Sequence, residues 1–245
     1  IDINLNFVKP FGKVSSKFSK YIEKSFDTAL KLIKKKHAFA IINGPVSKKH
    51  FLKKKFLGIT EYLAHKTKTN NEVMLIYNKF LSVSPITTHV PLKKVHKYIS
   101  TKSIVKKILV INNFYKNKFN KKPNFAITGL NPHCESNYID SEENNIIKPA
   151  VKILKKKKLK INGPFPADTI FIKNNIKKYD VIIGMYHDQI LTPIKALFGF
   201  EAINVTLGLP FIRVSPDHGI NNQMIGKKKS NPSSLKEALI FLKKI

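Results

Sequence analysis

The stretch from Lys20 to Pro45, KYIEKSFDTALKLIKKKHAFAIINGP, decides how the rest of the chain is read. Between Lys20 and Lys36 the apolar residues Ile22, Phe26, Ala29, Leu30 and Ile33 recur at helical spacing, and the run Ala38 to Ile42 that follows is short and apolar. This is a helix feeding a buried strand, which Asn43, Gly44 and Pro45 then break. Strands return near Glu72 to Tyr77 and Phe125 to Thr128, and again in the apolar runs Val181 to Tyr186 and Ala202 to Leu207. Strands separated by helices need crossover connections, so the expected fold is α/β, a mainly parallel sheet with helices on both faces. The longest helical pattern, Leu92 to Asn120, is expected to break near Ser103. Ser233 to Lys244 reads as a terminal helix entered through Asn231, Pro232 and Ser233. The first dozen residues are mixed in character, and no repeat, low-complexity linker or internal domain boundary stands out.

With 245 residues, 42% of them hydrophobic, the chain can bury a substantial core. No stretch approaches the roughly 18 uninterrupted apolar residues of a membrane span, and the first residues lack a secretory pattern, so a cytoplasmic protein without a membrane partner is expected. Cys134 is the one cysteine, which excludes disulfide scaffolds and cysteine-rich zinc modules and leaves His, Asp or Glu to hold any metal. A formal net charge of +30 would suit a nucleic-acid binder. Against that reading, every basic residue except Arg213 is lysine, whereas phosphate and base recognition leans on the arginine fork. The lysines also lack the interleaved aromatics of single-strand platforms. Lys, Asn and Ile are abundant together, as an AT-rich coding sequence produces, and no nucleic-acid partner is expected. The solitary arginine becomes the informative basic residue.

In parallel sheets, ligands gather outside the carboxyl ends of strands. The loops Asn43-Gly44-Pro45, Thr87-Thr88-His89, Gly129-Leu130-Asn131-Pro132-His133 and Tyr186-His187-Asp188-Gln189 fall at such ends, which argues for an enzyme. Three imidazoles from His89, His133 and His187 could hold a divalent metal with positions left open for substrate, although only the fold can unite them, and each could equally be an unliganded loop residue. His37, His50, His65 and His96 lie in lysine-rich surroundings and are assigned to the surface, with His218 a secondary candidate. Asp168 follows Gly163-Pro164-Phe165-Pro166-Ala167, read as a rigid turn that places the carboxylate at a helix start as a cap, an acid, or both. Lys195, in the nearly uncharged stretch Ile190 to Phe200, is followed at even intervals by Asn204 and Arg213, a distribution suited to one basic wall of a phosphate or carboxylate pocket. Asp168 and Lys195 are the candidates for general acid or base. There is no Gly-x-Gly-x-x-Gly after a strand and no P-loop, so the cofactor site is unknown, with Leu207 to Gly219 a guess for it.

Seven motifs in order resemble those of the 4-hydroxythreonine-4-phosphate dehydrogenases of vitamin B6 biosynthesis. They are Asn43-Gly44-Pro45-Val46-Ser47-Lys48, Thr60-Glu61-Tyr62-Leu63-Ala64, Thr87-Thr88-His89-Val90-Pro91-Leu92, Leu130-Asn131-Pro132-His133, Pro166-Ala167-Asp168-Thr169, Met185-Tyr186-His187-Asp188-Gln189 and the run Asn204 to Arg213. The resemblance implies a fold like the isocitrate and isopropylmalate dehydrogenases, one dehydrogenase region of two intertwined α/β subdomains over 1–245, and a homodimer with shared active sites. It implies a divalent metal (zinc, magnesium or cobalt) on His89, His133 and His187, with Asp168 close by, and substrate contacts from Thr60, Lys195, Asn204 and Arg213. The activity implied is NAD- or NADP-dependent oxidation of a small phosphorylated hydroxy acid, 4-phosphohydroxy-L-threonine, followed by decarboxylation.

Two departures accompany the likeness. The family's N-terminal strand and glycine-rich loop have no counterpart, so the chain reads as a piece of a longer protein. Ile59 also stands where the family places a histidine before the threonine matched to Thr60, and an apolar side chain cannot donate to phosphate or carboxylate. A paralogue acting on another four-carbon hydroxy-acid phosphate is therefore the alternative within the class, and a basic nucleic-acid-binding protein the alternative outside it.

Overall fold

The computed structural model describes residues 1–6, 12, 15–52, 55–134, 139–220, 222–227 and 229–245. Residues 7–11 of the mixed first dozen lie outside these. The helices are α1 (Ser19–Lys34), α2 (Lys48–Phe51), α3 (Ile59–Lys66), α4 (Val95–Tyr98), α5 (Thr101–Phe119), α6 (Lys148–Lys156), α7 (Ala167–Ile170), α8 (Lys173–Ile176), α9 (His187–Phe198) and α10 (Ser233–Lys244). The strands are β1 (Ala40–Ile42), β2 (Val73–Tyr77), β3 (Ser82–Thr87), β4 (Asn124–Thr128), β5 (Lys160–Phe165), β6 (Val181–Tyr186), β7 (Ile203–Leu207) and β8 (Ile212–Pro216).

The apolar stripe of α1 does what its spacing demands: Ile22, Phe26 and Leu30 pack with Leu52, Ile59, Tyr62 and Leu63 in one cluster. Helix α5 buries Ile104, Ile108, Ile111, Phe114 and Tyr115. The break expected near Ser103 falls before Ser100 instead. Ser100 Oγ accepts the Ser103 N–H at 3.2 Å while Ser103 Oγ accepts the Ser100 N–H at 3.3 Å, a reciprocal cap that starts the helix there.

All eight strands form one sheet in the order β1-β8-β7-β2-β3-β6-β4-β5. Four pairings are parallel, β1–β8, β3–β6, β6–β4 and β4–β5, so the sheet is mostly parallel as expected. Three consecutive pairings, β8–β7, β7–β2 and β2–β3, are antiparallel. Part of the cause is local: Asn78 Oδ1 accepts the Phe80 N–H at 2.9 Å, folding the chain back between β2 and β3. Strands β3, β5 and β8 carry no long apolar run, because Pro85, Gly163-Pro164 and Arg213 sit inside them. The stretch Gly163 to Phe165, read as a turn, is the end of β5.

Alternate residues serve opposite faces. Val73 and Leu75 of β2 with Val181, Ile183 and Met185 of β6 join the core beneath α5, α6 and α10. Met74, Ile76 and Ile182 face Ile190, Leu191 and Ile194 of α9. Among the described residues no helix is long and apolar enough to cross a membrane.

Because β3, β4 and β6 run together while β1 and β8 run the other way, the histidine loops leave one end of the sheet. Asn43-Gly44-Pro45 and Pro216-Asp217 leave the opposite end. The polar loops thus bracket the sheet and do not share one rim. The turn after β7 depends on Gly208, whose φ is +80° and where a Cβ would lie 2.0 Å from the Asn71 carbonyl oxygen. Gly208→Ala is expected to destabilise the fold by at least about 2 kcal/mol through strain and clash. Urea denaturation would show this as a lower midpoint at unchanged slope; an unchanged midpoint would contradict the close approach.

Candidate active site

A cavity of about 500 Å³ runs along the α9 face of the sheet between those two ends. Its floor is set by register. Met74, Thr206 and Arg213 are cross-strand neighbours, as are Ile76, Asn204 and Ser215, so Asn204, Thr206, Arg213 and Ser215 form a polar patch on an otherwise apolar face.

Arg213 is the most constrained of them. It is 4% exposed, and no carboxylate lies within ion-pair distance among the described residues. Its Nε donates to Asn43 Oδ1 at 2.7 Å and its Nη1 to Thr206 Oγ1 at 3.1 Å. Burial pushes the guanidinium down to about 10, partly offset by the Glu61 carboxylate, so it stays protonated at neutral pH. Thr60 Oγ1 lies 3.3 Å from Thr206 Oγ1, and Asn204 Oδ1 is buried without a hydrogen-bond partner. Lys195, in the last turn of α9, donates to the carbonyl oxygen and to Oδ2 of Asp217, both at 2.7 Å. His218 also lines this half.

At the other half of the cavity, His89 and His187 stand with ring centroids 5.9 Å apart. His187 opens α9, and its Nδ1 lies 2.6 Å from Asp188 Oδ1. His89 Nε2 is 3.0 Å from Lys48 Nζ and its Nδ1 3.9 Å from Glu61 Oε1. Burial pushes the Glu61 carboxyl up, yet the neighbouring His89 ring and its own backbone N–H bring it below the usual carboxylate range.

Two expected members stand apart. His133, exposed in a turn with φ 60°, does not line the cavity, and among the described residues no three His, Cys, Asp or Glu side chains are placed to hold a metal ion. Asp168 is exposed in the first turn of α7 and makes no cap hydrogen bond; Pro166 occupies the cap position, so the capping role is not realised. It also lies outside the cavity that holds His89 and His187. Of the histidines assigned to the surface, His37, His65 and His96 are exposed and His50 is half-buried against Ser47 Oγ.

The chain matches the family model of the pyridoxal phosphate biosynthetic protein PdxA over residues 1–241. It belongs to this family. The 4-hydroxythreonine-4-phosphate dehydrogenase of Sulfurihydrogenibium sp. is 42% identical over 242 residues, covering 96% of this chain and 74% of that protein. The crystal structure of the enzyme of that name from Klebsiella pneumoniae superposes with a TM-score of 0.81 at 31% identity, covering 96% of this chain and 72% of that one. The chain spans a smaller share, 61%, of the Bradyrhizobium diazoefficiens relative. Isocitrate dehydrogenase from Methylococcus capsulatus, at 13% identity and a TM-score of 0.56, shares the fold alone. The PdxA proteins matched here carry the name of an oxidoreductase, so the family is one of enzymes.

Several residues that shape this PdxA site were not singled out from the sequence. Gln189 clamps the ends of β4 and β6: its Oε1 accepts the Met185 N–H at 2.7 Å and the Thr128 hydroxyl at 2.9 Å, and its Nε2 donates to the Gly129 carbonyl at 2.8 Å. Glu143, 1% exposed, accepts the Leu130 and Asn131 N–H groups at 2.8 Å each and holds the loop that carries His133. Lys48, Glu61 and Asp217 partner named site residues. With 15 acidic against 45 basic residues, an acid kept beside a histidine motif is itself a signal.

Arg213→Lys keeps the charge and loses the fork that spans Asn43 and Thr206. It is expected to weaken binding of inorganic phosphate by about tenfold, the worth of one hydrogen bond to a charged group. Calorimetric titration checks this, and equal affinity would remove Arg213 from the anion site.

Proposed function

We propose that this chain, within the full-length protein, oxidises 4-phosphohydroxy-L-threonine with NAD or NADP in pyridoxine and pyridoxal phosphate biosynthesis. The hydroxyl-bearing carbon gives a hydride to the nicotinamide, the hydroxyl gives up its proton, and the 3-oxo acid loses carbon dioxide to leave 3-amino-2-oxopropyl phosphate. The observation that carries this reading is the buried Arg213, charged and without a carboxylate partner among the described residues, at a cavity that also presents Lys195 and the unpartnered Asn204 Oδ1. A dianionic phosphate and a carboxylate on one small substrate fit such a wall. Arg213 and Lys195 bind these anions, and Thr60 and Asn204 orient them. Of the two proton-transfer candidates, Lys195 lines the cavity and Asp168 does not. Ser215 to Gly219 form part of the same wall and are our candidates within Leu207 to Gly219 for cofactor contact.

At the other end two imidazoles 5.9 Å apart, with the Glu61 and Asp188 carboxylates beside them, are nitrogen and oxygen donors of the kind a divalent cation takes, and such a cation would displace the Lys48 ammonium from His89 Nε2. His89, His133 and His187 would hold zinc, magnesium or cobalt, one of the three coming from a second copy of the chain. A metal there supplies Lewis acidity that acidifies the substrate hydroxyl and offsets the charge left by departing carbon dioxide. A homodimer with shared sites accords with His133 standing apart and with the exposed Leu57, Leu92, Tyr98 and Ile139 close in sequence to the site motifs. A cytoplasmic location suits a chain with one cysteine and a phosphorylated substrate.

Ile59 favours a second reading. It lines the cavity at 7% exposure and packs with Phe26 and Leu63, so it offers that wall an apolar surface and no donor. A paralogue oxidising another four-carbon hydroxy-acid phosphate would fit. Absorbance of reduced nicotinamide, with full-length protein, 4-phosphohydroxy-L-threonine and added metal, separates the two. Turnover is expected to vanish on chelation and to fall by about a hundredfold or more in His187→Ala. Turnover with a different four-carbon hydroxy-acid phosphate and none with this one would establish the paralogue instead.

A further inference from the structure

His89 lies between two groups that differ in what they can offer. An ammonium has donors and no acceptor, so the imidazole nitrogen 3.0 Å from Lys48 Nζ, Nε2, must supply the lone pair. On the other side of the ring, Nδ1 is buried without a hydrogen-bond partner and faces Glu61 Oε1 at 3.9 Å. Glu61 Oε2 is likewise buried and unpartnered, while Oε1 takes a 3.4 Å bond from Thr88 Oγ1. At that separation the carboxylate and ring attract without yet forming a hydrogen bond; a small rotation of either closes the gap. Gly58 leaves the space between them open, because a Cβ there would come 2.8 Å from Glu61 Oε2 and 3.0 Å from His89 Cε1.

We propose that Glu61 is the positioning residue for His89: its carboxylate holds the neutral imidazole as the Nδ1–H tautomer, so that Nε2 presents its lone pair to the cavity. A ligating histidine commonly gives its second N–H to a carboxylate, which fixes ring orientation and raises basicity. Here the carboxylate arrives from the first turn of α3, next to Thr60, which ties the orientation of the ring to the helix that also supplies a substrate contact. The consequence for metal affinity rests on the metal-binding role argued for His89, whereas the tautomer itself does not.

Nitrogen NMR of histidine-labelled, metal-free full-length protein, at a pH where imidazole is neutral and with a His89→Gln sample for assignment, reads the tautomer directly. Calorimetric titration with zinc ion alone reads the affinity. The expected result is an Nδ1–H signal for His89 in the unaltered protein, a smaller share of that tautomer in Glu61→Ala, where Lys48 alone still selects it, and zinc affinity about 10- to 100-fold weaker in that variant. Glu61→Gln, which keeps an acceptor oxygen, should retain the tautomer. Gly58→Ala, which keeps the carboxylate but sets a methyl against it, should weaken zinc in the same direction. An Nε2–H tautomer in the unaltered protein, or Glu61→Ala binding zinc as tightly as that protein, would overturn the proposal. If the unaltered protein takes up no zinc, the metal reading fails by itself, and the tautomer spectrum still decides whether Glu61 holds the ring.

Discussion

A guanidinium buried to 4% exposure with no carboxylate in ion-pair range among the described residues is the constraint on which the rest of this site depends. An uncompensated buried charge costs on the order of 3–5 kcal/mol, and two hydrogen bonds to neutral oxygens offset only part of that. The chain keeps Arg213 there by building around it. Asn43, just beyond β1, takes the Nε, and Thr206, across from it on β7, takes an Nη. Thr60 then packs its hydroxyl on Thr206, so α3 is registered against the same group. The charge that remains faces the cavity, where an anionic ligand would complete it.

The antiparallel centre of the sheet gives this charge its setting. Were all strands parallel, the polar loops would converge on one rim. Reversal at β2 and β7 instead leaves the histidine loops at one end and the Asp217 and Asn43 loops at the other, and a pocket along the face joins them. Helix α9 serves both ends, since it opens on His187 and carries Lys195 in its last turn.

The sequence was most legible where one face of an element was apolar. The stripe of α1, the run in β6 and the terminal helix were readable because burial demands them. Strands β3, β5 and β8 were not, since a proline, a Gly-Pro pair and a buried arginine replace the apolar run, and the pairings that hold them come from elsewhere in the chain. The polar wall of the cavity was partly legible: Lys195, Asn204 and Arg213 were named, and the alternation of Asn204 with Thr206 and of Arg213 with Ser215 shows one polar face once β8 is recognised. That His89 meets His187 follows from β6 lying beside β3, a strand order that spacing along the chain does not encode. Asp168 misled as a cap because Pro166 takes that position.

The most direct test is a crystal structure of the full-length protein with 4-phosphohydroxy-L-threonine and a divalent metal, the metal located by anomalous scattering. The account predicts an anionic group of the substrate within hydrogen-bond distance of Arg213 and Asn204, with the metal on His89 and His187. A substrate bound elsewhere, with Arg213 still bonded only to Asn43 and Thr206, would contradict it.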